Sequence, residues 1–288
     1  MWRCCVDLRL LFPQGRWVRQ VEKKEQVYAL PYEGGFWVLE RSSLTEREQT
    51  LLTLLGQQDV ENNYRHPWLD FLENRGKEPA VEAKAVQFIH LHIRQTSLED
   101  TAPLFDMLTA FFPNYLTHFQ LASQDYALVL DQTRWTEVSE PLEDTLEAME
   151  FDFASQLSFL IGNILPTKDV AMWPALFQLE SQLFQDWNQT YSRSACLPFS
   201  RLYLWSKVEN PAFAKYLHQR IAAQEGLSEI ILALWQEGAV LTKAAQKLYI
   251  HRNTLQYRLE KFHEATGLSL KNMDDLALCY LVMIAESF

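Results

Sequence analysis

The stretch Leu241-Thr-Lys-Ala-Ala-Gln-Lys-Leu-Tyr-Ile-His-Arg-Asn-Thr-Leu-Gln-Tyr-Arg-Leu-Glu-Lys-Phe-His263 reads as two short helices joined by a tight turn. At 100° per residue, Leu255, Leu259 and Phe262 fall on one stripe of the second helix, at about 0°, 40° and −20°. Asn253 and Tyr257 lie opposite, near about 160° and 200°, with Gln256 and Lys261 beside them. The apolar stripe is expected to rest on Ala244, Ala245, Leu248 and Ile250, where the two alanines let the helices approach closely. His251 is expected to cap the second helix and Gly267 to end it, which places a recognition helix over Arg252 to Thr266.

The same segment holds five Lys or Arg (Lys243, Lys247, Arg252, Arg258, Lys261) against one acid, Glu260, a balance of +4 within a chain of net charge −11. Residues 1–225 hold 20 basic and 30 acidic side chains, and residues 226–288 hold 6 and 7. The acidity therefore belongs to the N-terminal part, and the cationic island points to a polyanion partner. Asn and Gln amides can bond adenine edges bidentately, while Lys and Arg take guanine edges or phosphates. A solvated basic helix with no partner is the plainer alternative. A helix-turn-helix turned into a dimerisation module is another, kept open by Glu260 and Glu264.

The run Leu248-Tyr-Ile-His-Arg-Asn-Thr-Leu-Gln-Tyr-Arg-Leu259, continued by Thr266-Gly-Leu-Ser-Leu270 and a Leu/Ala-rich last helix, resembles the C-terminal helix-turn-helix of the PucR/CdaR family of bacterial transcription regulators. The resemblance covers about Leu227 to Ile284. It implies that the outward residues of the second helix enter the major groove of double-stranded DNA. On that basis Asn253, Gln256 and Tyr257 are expected to read base edges. Lys243, Arg252, Thr254, Arg258 and Lys261 are expected to hold phosphates. Single helix-turn-helix units make few base contacts, so a homodimer on spaced half-sites is expected.

Upstream, Val27 to Pro31 and Gly35 to Glu40 read as two strands, followed by a helix over Thr45 to Leu55 capped by Ser43 or Thr45. Pro67 opens a short helix to Asn74. From Ala83 the pattern becomes mixed. Val86 to Ile93 is a strand, Leu98 to Phe112 a helix, and Tyr115 to Leu121 with Tyr126 to Leu130 a hairpin. Leu142 to Glu150 is a helix, Leu157 to Ile164 a buried strand and Trp173 to Trp187 an amphipathic helix. Leu202 to Trp205 is read as a last strand, before a helix over Phe213 to Ile221. This order resembles the GGDEF-like middle domain of CdaR-type regulators. Its hairpin reads Ala122-Ser-Gln-Asp-Tyr126, without the Gly-Gly-acid-acid motif, so a catalytically inactive domain is implied.

The expected fold is thus an α+β N-terminal region, a small strand-helix segment plus a GGDEF-like mixed α/β domain, followed by an all-α helix-turn-helix domain. The expected boundaries are 1–78, 79–222 and 223–288. The four cysteines (Cys4, Cys5, Cys196, Cys279) lack metal-site spacing and suit reduced thiols. No signal core or 18-residue apolar run occurs, so a cytoplasmic protein with no membrane partner is expected. His90 and His92 share a strand face, but no third ligand stands at metal spacing, and packing against solvent or a helix is the better reading. Glu143, Asp144, Glu147, Glu150 and Asp152 spread along a helix as a solvated face. The nine Trp and 17 Phe fall mainly on apolar stripes and point to core. No phosphate loop, nucleophile elbow or zinc-protease helix is present, so no enzyme activity and no cofactor are expected. A protein-interaction scaffold with a vestigial helix-turn-helix is the alternative function, and an unidentified small-molecule effector is left open.

Overall fold

The computed structural model describes residues 12–18, 27–32, 35–45, 47–49, 52, 66–96 and 101–285. They belong to two compact units that divide between His66 and Pro67.

In the first unit, β1 (Arg16–Val18), β2 (Val27–Tyr32) and β3 (Gly35–Glu40) form an antiparallel sheet in the order β1-β3-β2. Trp37, Val38 and Leu39 of the central strand β3 are all buried. Trp37 and Leu39 pack with Leu44 and Leu52, and the Trp37 indole donates to the Phe12 carbonyl at 3.0 Å. Thr45 and Glu48 form a reciprocal capping box. The Thr45 N–H donates to Glu48 Oε2 at 2.8 Å, and the Glu48 N–H donates to Thr45 Oγ1 at 3.3 Å. This agrees with the capping chemistry expected at Thr45. The continuation of that helix to Leu55 lies outside the described residues, as do Cys4 and Cys5.

The second unit begins with α1 (Pro67–Leu72) and β4 (Ala85–Thr96), then α2 (Ala102–Phe111) and the hairpin β5 (Tyr115–Ala122) and β6 (Asp125–Asp131). Next come α3 (Ser139–Phe153), β7 (Ser155–Pro166), α4 (Trp173–Thr190) and β8 (Ala195–Pro198). The five strands form one sheet in the order β5-β6-β4-β7-β8. All its pairings are antiparallel except β7 with β8, which α4 connects as a crossover.

Both faces are covered, which is why the central strands read as nearly continuous apolar runs. On one face Ile89, Leu91, Leu128, Leu157 and Phe159 pack under Leu104 and Leu108 of α2 and Leu142 and Leu146 of α3. On the other, Phe88, Val129 and Leu160 pack under α1 and α4, with the Trp68 and Trp173 rings stacked at 5.9 Å. A fully buried side chain of this size contributes roughly 1.5–3 kcal/mol.

The polar groups of this layer are buried in pairs. His90 Nε2 lies 3.2 Å from Glu180 Oε2, and both side chains are almost wholly buried. Glu180 Oε1 accepts from the Asn163 backbone N–H at 2.8 Å and from its Nδ2 at 3.1 Å. The register of β7 against β4 shifts between Gln87 and Ile89, where Gly162 and Asn163 form a bulge. Any Cβ at Gly162 would collide with the Glu180 carboxylate, so glycine is required by contact there. Gln87 donates to the Gly162 carbonyl at 2.8 Å and accepts from Gln132 at 2.8 Å. His90 therefore faces helix α4, one of the two placements expected for it. His92 meets Asp125 at 2.7 Å.

Two expectations change. Residues 202–205 are not a strand but belong to α5 (Phe199–Ser206), and the edge strand is Ala195–Pro198. Phe199 and Leu202 recur at helical spacing and are buried together, whereas Leu202-Tyr-Leu-Trp mimics strand alternation over too few residues to decide. Of the acidic run, Glu143, Asp144, Glu147 and Asp152 are exposed as expected. Glu150 is half-buried instead and accepts from the Leu157 N–H at 2.7 Å and from the Ser194 hydroxyl. Cys196 is half-buried near Glu143, and burial together with that charge pushes its thiol up to about 12.

Candidate nucleic-acid interface

The chain ends in α6 (Pro211–Ala222), α7 (Leu227–Gln236), α8 (Leu241–Lys247), α9 (Arg252–Thr266) and α10 (Met273–Ala285). The sequence expected the recognition helix at the bounds that α9 takes. Its start is set by His251, whose Nδ1 accepts from the Asn253 N–H at 3.2 Å. Its end is set by Gly267, which is left-handed at φ 77° and donates to the His263 carbonyl at 2.7 Å. A Cβ at Gly267 would also lie 3.1 Å from Ile164 of β7, so both conformation and close approach require glycine.

Ala244 and Ala245 of α8 are buried beside Leu255, Leu259 and Phe262 of α9, with Leu248 and Ile250 packed against them. The small alanine side chains allow this approach, and the stripe continues into Leu276, Leu278 and Cys279 of α10. The turn is closed by backbone bonds, Tyr249 N–H to the Gln246 carbonyl at 3.1 Å and Ile250 N–H to the Ala245 carbonyl at 3.0 Å. The far end of α9 is tied to the rest of the unit. Arg220 of α6 donates to the Ala265 carbonyl at 2.6 Å while pairing with Asp169 at 3.2 Å. Trp135 meets the His263 ring edge-on at 4.8 Å.

The outward side carries most of the residues singled out in the sequence. Arg252, Asn253, Thr254, Tyr257 and Lys261 are exposed on α9, and Lys243 is exposed on α8. Tyr257 keeps 64% of its surface. Gln256 is half-buried, and its amide donates to Glu260 Oε1 one turn on at 2.9 Å. Arg258 stands apart. It is half-buried, and a Cβ at Gly226 would come within 2.8 Å of its Nη1, so the guanidinium leans toward the start of α7. Lys247 pairs with Glu237 at 2.9 Å, and that bond holds the Glu237 carboxyl below its ordinary value. Asn253, Tyr257 and Lys261 thus share the side of α9 away from the buried stripe, with Thr254 and Gln256 at its margins and Arg252 exposed at the helix start.

Tyr249 was not singled out in the sequence. It occupies the turn at φ 53° and is 97% exposed. A left-handed L-residue costs roughly 1–2 kcal/mol. The sequence offers only one cue, an aromatic residue where a tight turn favours glycine.

Below α9, a cleft of about 490 Å³ is lined by Trp135, Ser139, Asn163, His263 and Asp275, among others. Asp275 accepts from the Ser269 N–H at 2.7 Å, and its carboxyl is raised above the ordinary value, chiefly by burial. Among the described residues no helix is long and apolar enough to cross a membrane.

Residues 227–285 match the family model of the PucR C-terminal helix-turn-helix domain. The leucine-rich protein of Streptococcus dysgalactiae subsp. equisimilis is 32% identical over 248 residues, which cover 85% of this chain and 87% of that protein. Protein YxkF of Bacillus subtilis (strain 168) is 24% identical over 238 residues, covering 79% of this chain and 77% of that one. The carbohydrate diacid regulator of Escherichia coli (strain K12) is 35% identical over 102 residues, which span 30% of this chain and 26% of the regulator. The chain thus belongs to one family with the leucine-rich protein over most of its length, and its residues 227–285 form a PucR-type helix-turn-helix domain.

Proposed function

We propose that this protein is a cytoplasmic transcriptional regulator that binds double-stranded DNA by placing α9 in the major groove. The observation that carries the reading is the split character of α9. Leu255, Leu259 and Phe262 are buried, while Asn253, Tyr257 and Lys261 are exposed on the other side, with Thr254 exposed at its margin and Arg252 exposed at the helix start. A helix held by one face, with amides, a phenol and cations on the other, is what major-groove recognition requires. Asn253, Gln256 and Tyr257 are assigned to base edges, and Lys243, Arg252, Thr254 and Lys261 to phosphates. Arg258 reaches a phosphate only by leaving Gly226.

The domain plan proposed is an N-terminal region over 1–78, a catalytically inactive GGDEF-like α/β domain over 79–222 and the helix-turn-helix domain over 223–288. Dimers with two-fold symmetry would set two α9 helices on spaced half-sites. The α/β layer would serve in dimerisation or in sensing an effector.

The test is selection of duplexes from a random pool with the full chain, followed by mobility shifts across a salt series. A recurring motif with a fixed half-site spacing and a steep salt dependence is expected. Absence of salt-dependent binding to any duplex would overturn the proposal. A second reading, a protein-interaction scaffold, is favoured by the engagement of Gln256 with Glu260 and by the exposed Glu264. It predicts no duplex binding and stable capture of a defined protein partner.

A further inference from the structure

Tyr249 gains nothing from the fold that its position would explain. Its ring is 97% exposed, and its backbone takes a left-handed conformation, φ 53°, that glycine adopts freely and tyrosine does not. The two backbone bonds that close the turn need no side chain. A residue that disfavours its own backbone and buries none of its ring points to a role outside the folded chain.

Position suggests that role. Tyr249 lies in the turn between α8 and α9, two residues before His251, the cap of α9. If the start of α9 enters the groove, the turn before it stands at the groove's lip, where the sugar-phosphate backbone runs. The exposed cations Lys243 and Arg252 lie on either side in sequence and complement that backbone in charge. Tyrosine hydroxyls are among the groups that bond phosphate oxygens, and the ring can rest on the deoxyribose.

We propose that Tyr249 is a backbone-binding residue of the DNA interface, donating its phenol to a phosphate oxygen beside the groove entered by α9. The inference rests on the DNA-binding reading above. It commits to a neutral contact with no sequence information, unlike the base-reading and cationic residues.

The experiment measures binding of the full chain to a selected duplex and to a random one across a salt series, with melting temperatures. It compares wild type with Tyr249→Phe and Tyr249→Gly. Tyr249→Phe is expected to weaken both duplexes about three- to tenfold, the worth of one hydrogen bond. The slope of affinity against salt should stay unchanged, because no charge is removed. Tyr249→Gly is expected to weaken binding at least as much while raising the melting temperature by about 2 °C, since glycine relieves the left-handed backbone. Opposite signs for binding and stability are not what a structural residue gives.

Wild-type binding with both variants equally tight would overturn the assignment, and so would a loss confined to the selected duplex. A wild type that binds no duplex would bring down the DNA reading itself, and Tyr249 with it.

Discussion

The sheet layer and the terminal helices of the second unit treat their polar side chains in opposite ways. In the layer, His90, Glu180, Asn163, Gln87 and Gln132 are buried and bonded to one another. On α9, Arg252, Asn253, Thr254, Tyr257 and Lys261 stand in solvent, and the burial is left to leucines and a phenylalanine. Buried and satisfied polar groups fix the register of strands and helices. Exposed ones at regular spacing on a rigid helix are available to a partner. The difference places stability in the first set and, on the proposed reading, recognition in the second.

Removing Glu180 should break that comparison most severely. Glu180→Ala leaves His90 and both nitrogens of Asn163 without their acceptor, and a loss of about 3–5 kcal/mol is expected in denaturant unfolding. If urea titration shows less than about 1 kcal/mol, the buried pair is not what holds α4 on the sheet.

On the exposed side, Gln256→Ala should leave the melting temperature nearly unchanged. It should cost about 1–3 kcal/mol at a single base pair of the selected site. Uniform weakening across all base substitutions would remove Gln256 from the base-reading set. Its engagement by Glu260 sharpens the point, because that bond must open for the amide to reach a base.

Lys261→Ala should weaken all duplexes alike and lower the salt slope by about one unit. An unchanged slope would show that this cation never meets a phosphate.

The smallest effect is expected at the join of the two regions. Burial raises the Asp275 carboxyl, so the folded chain holds that proton to a higher pH than the unfolded chain does. The stabilisation is present below the ordinary carboxylate pKa and is lost as pH rises through the raised value. Asp275→Asn, which can still accept from the Ser269 N–H, should therefore raise the melting temperature by about 1–2 °C near pH 7. The gain should vanish near pH 4. A variant less stable than wild type at neutral pH would contradict this.

Much of the candidate interface was legible in the sequence because it is local. The stripe Leu255, Leu259, Phe262 repeats at helical spacing, and His251 and Gly267 carry capping chemistry at the ends. Arg258 shows the limit of that view. Its sequence offers a cation for a phosphate, yet it falls near the buried stripe and leans on Gly226, a residue 32 positions earlier. Tyr249 was missed for a different reason. Exposure and a left-handed backbone are properties of a folded turn, and neither has a periodic signature.

The order of strands and helices from β4 to α4, the bounds of α9 and its division into two faces were set by the sequence alone, since each depends on neighbours within a few turns. Tertiary structure decided that Phe199–Ser206 coils while Ala195–Pro198 joins the sheet edge. It also decided that Glu180 answers His90, and that Arg220 and Ile164 grip the end of α9. Those choices join residues far apart in the chain, and only packing brings them within bonding distance.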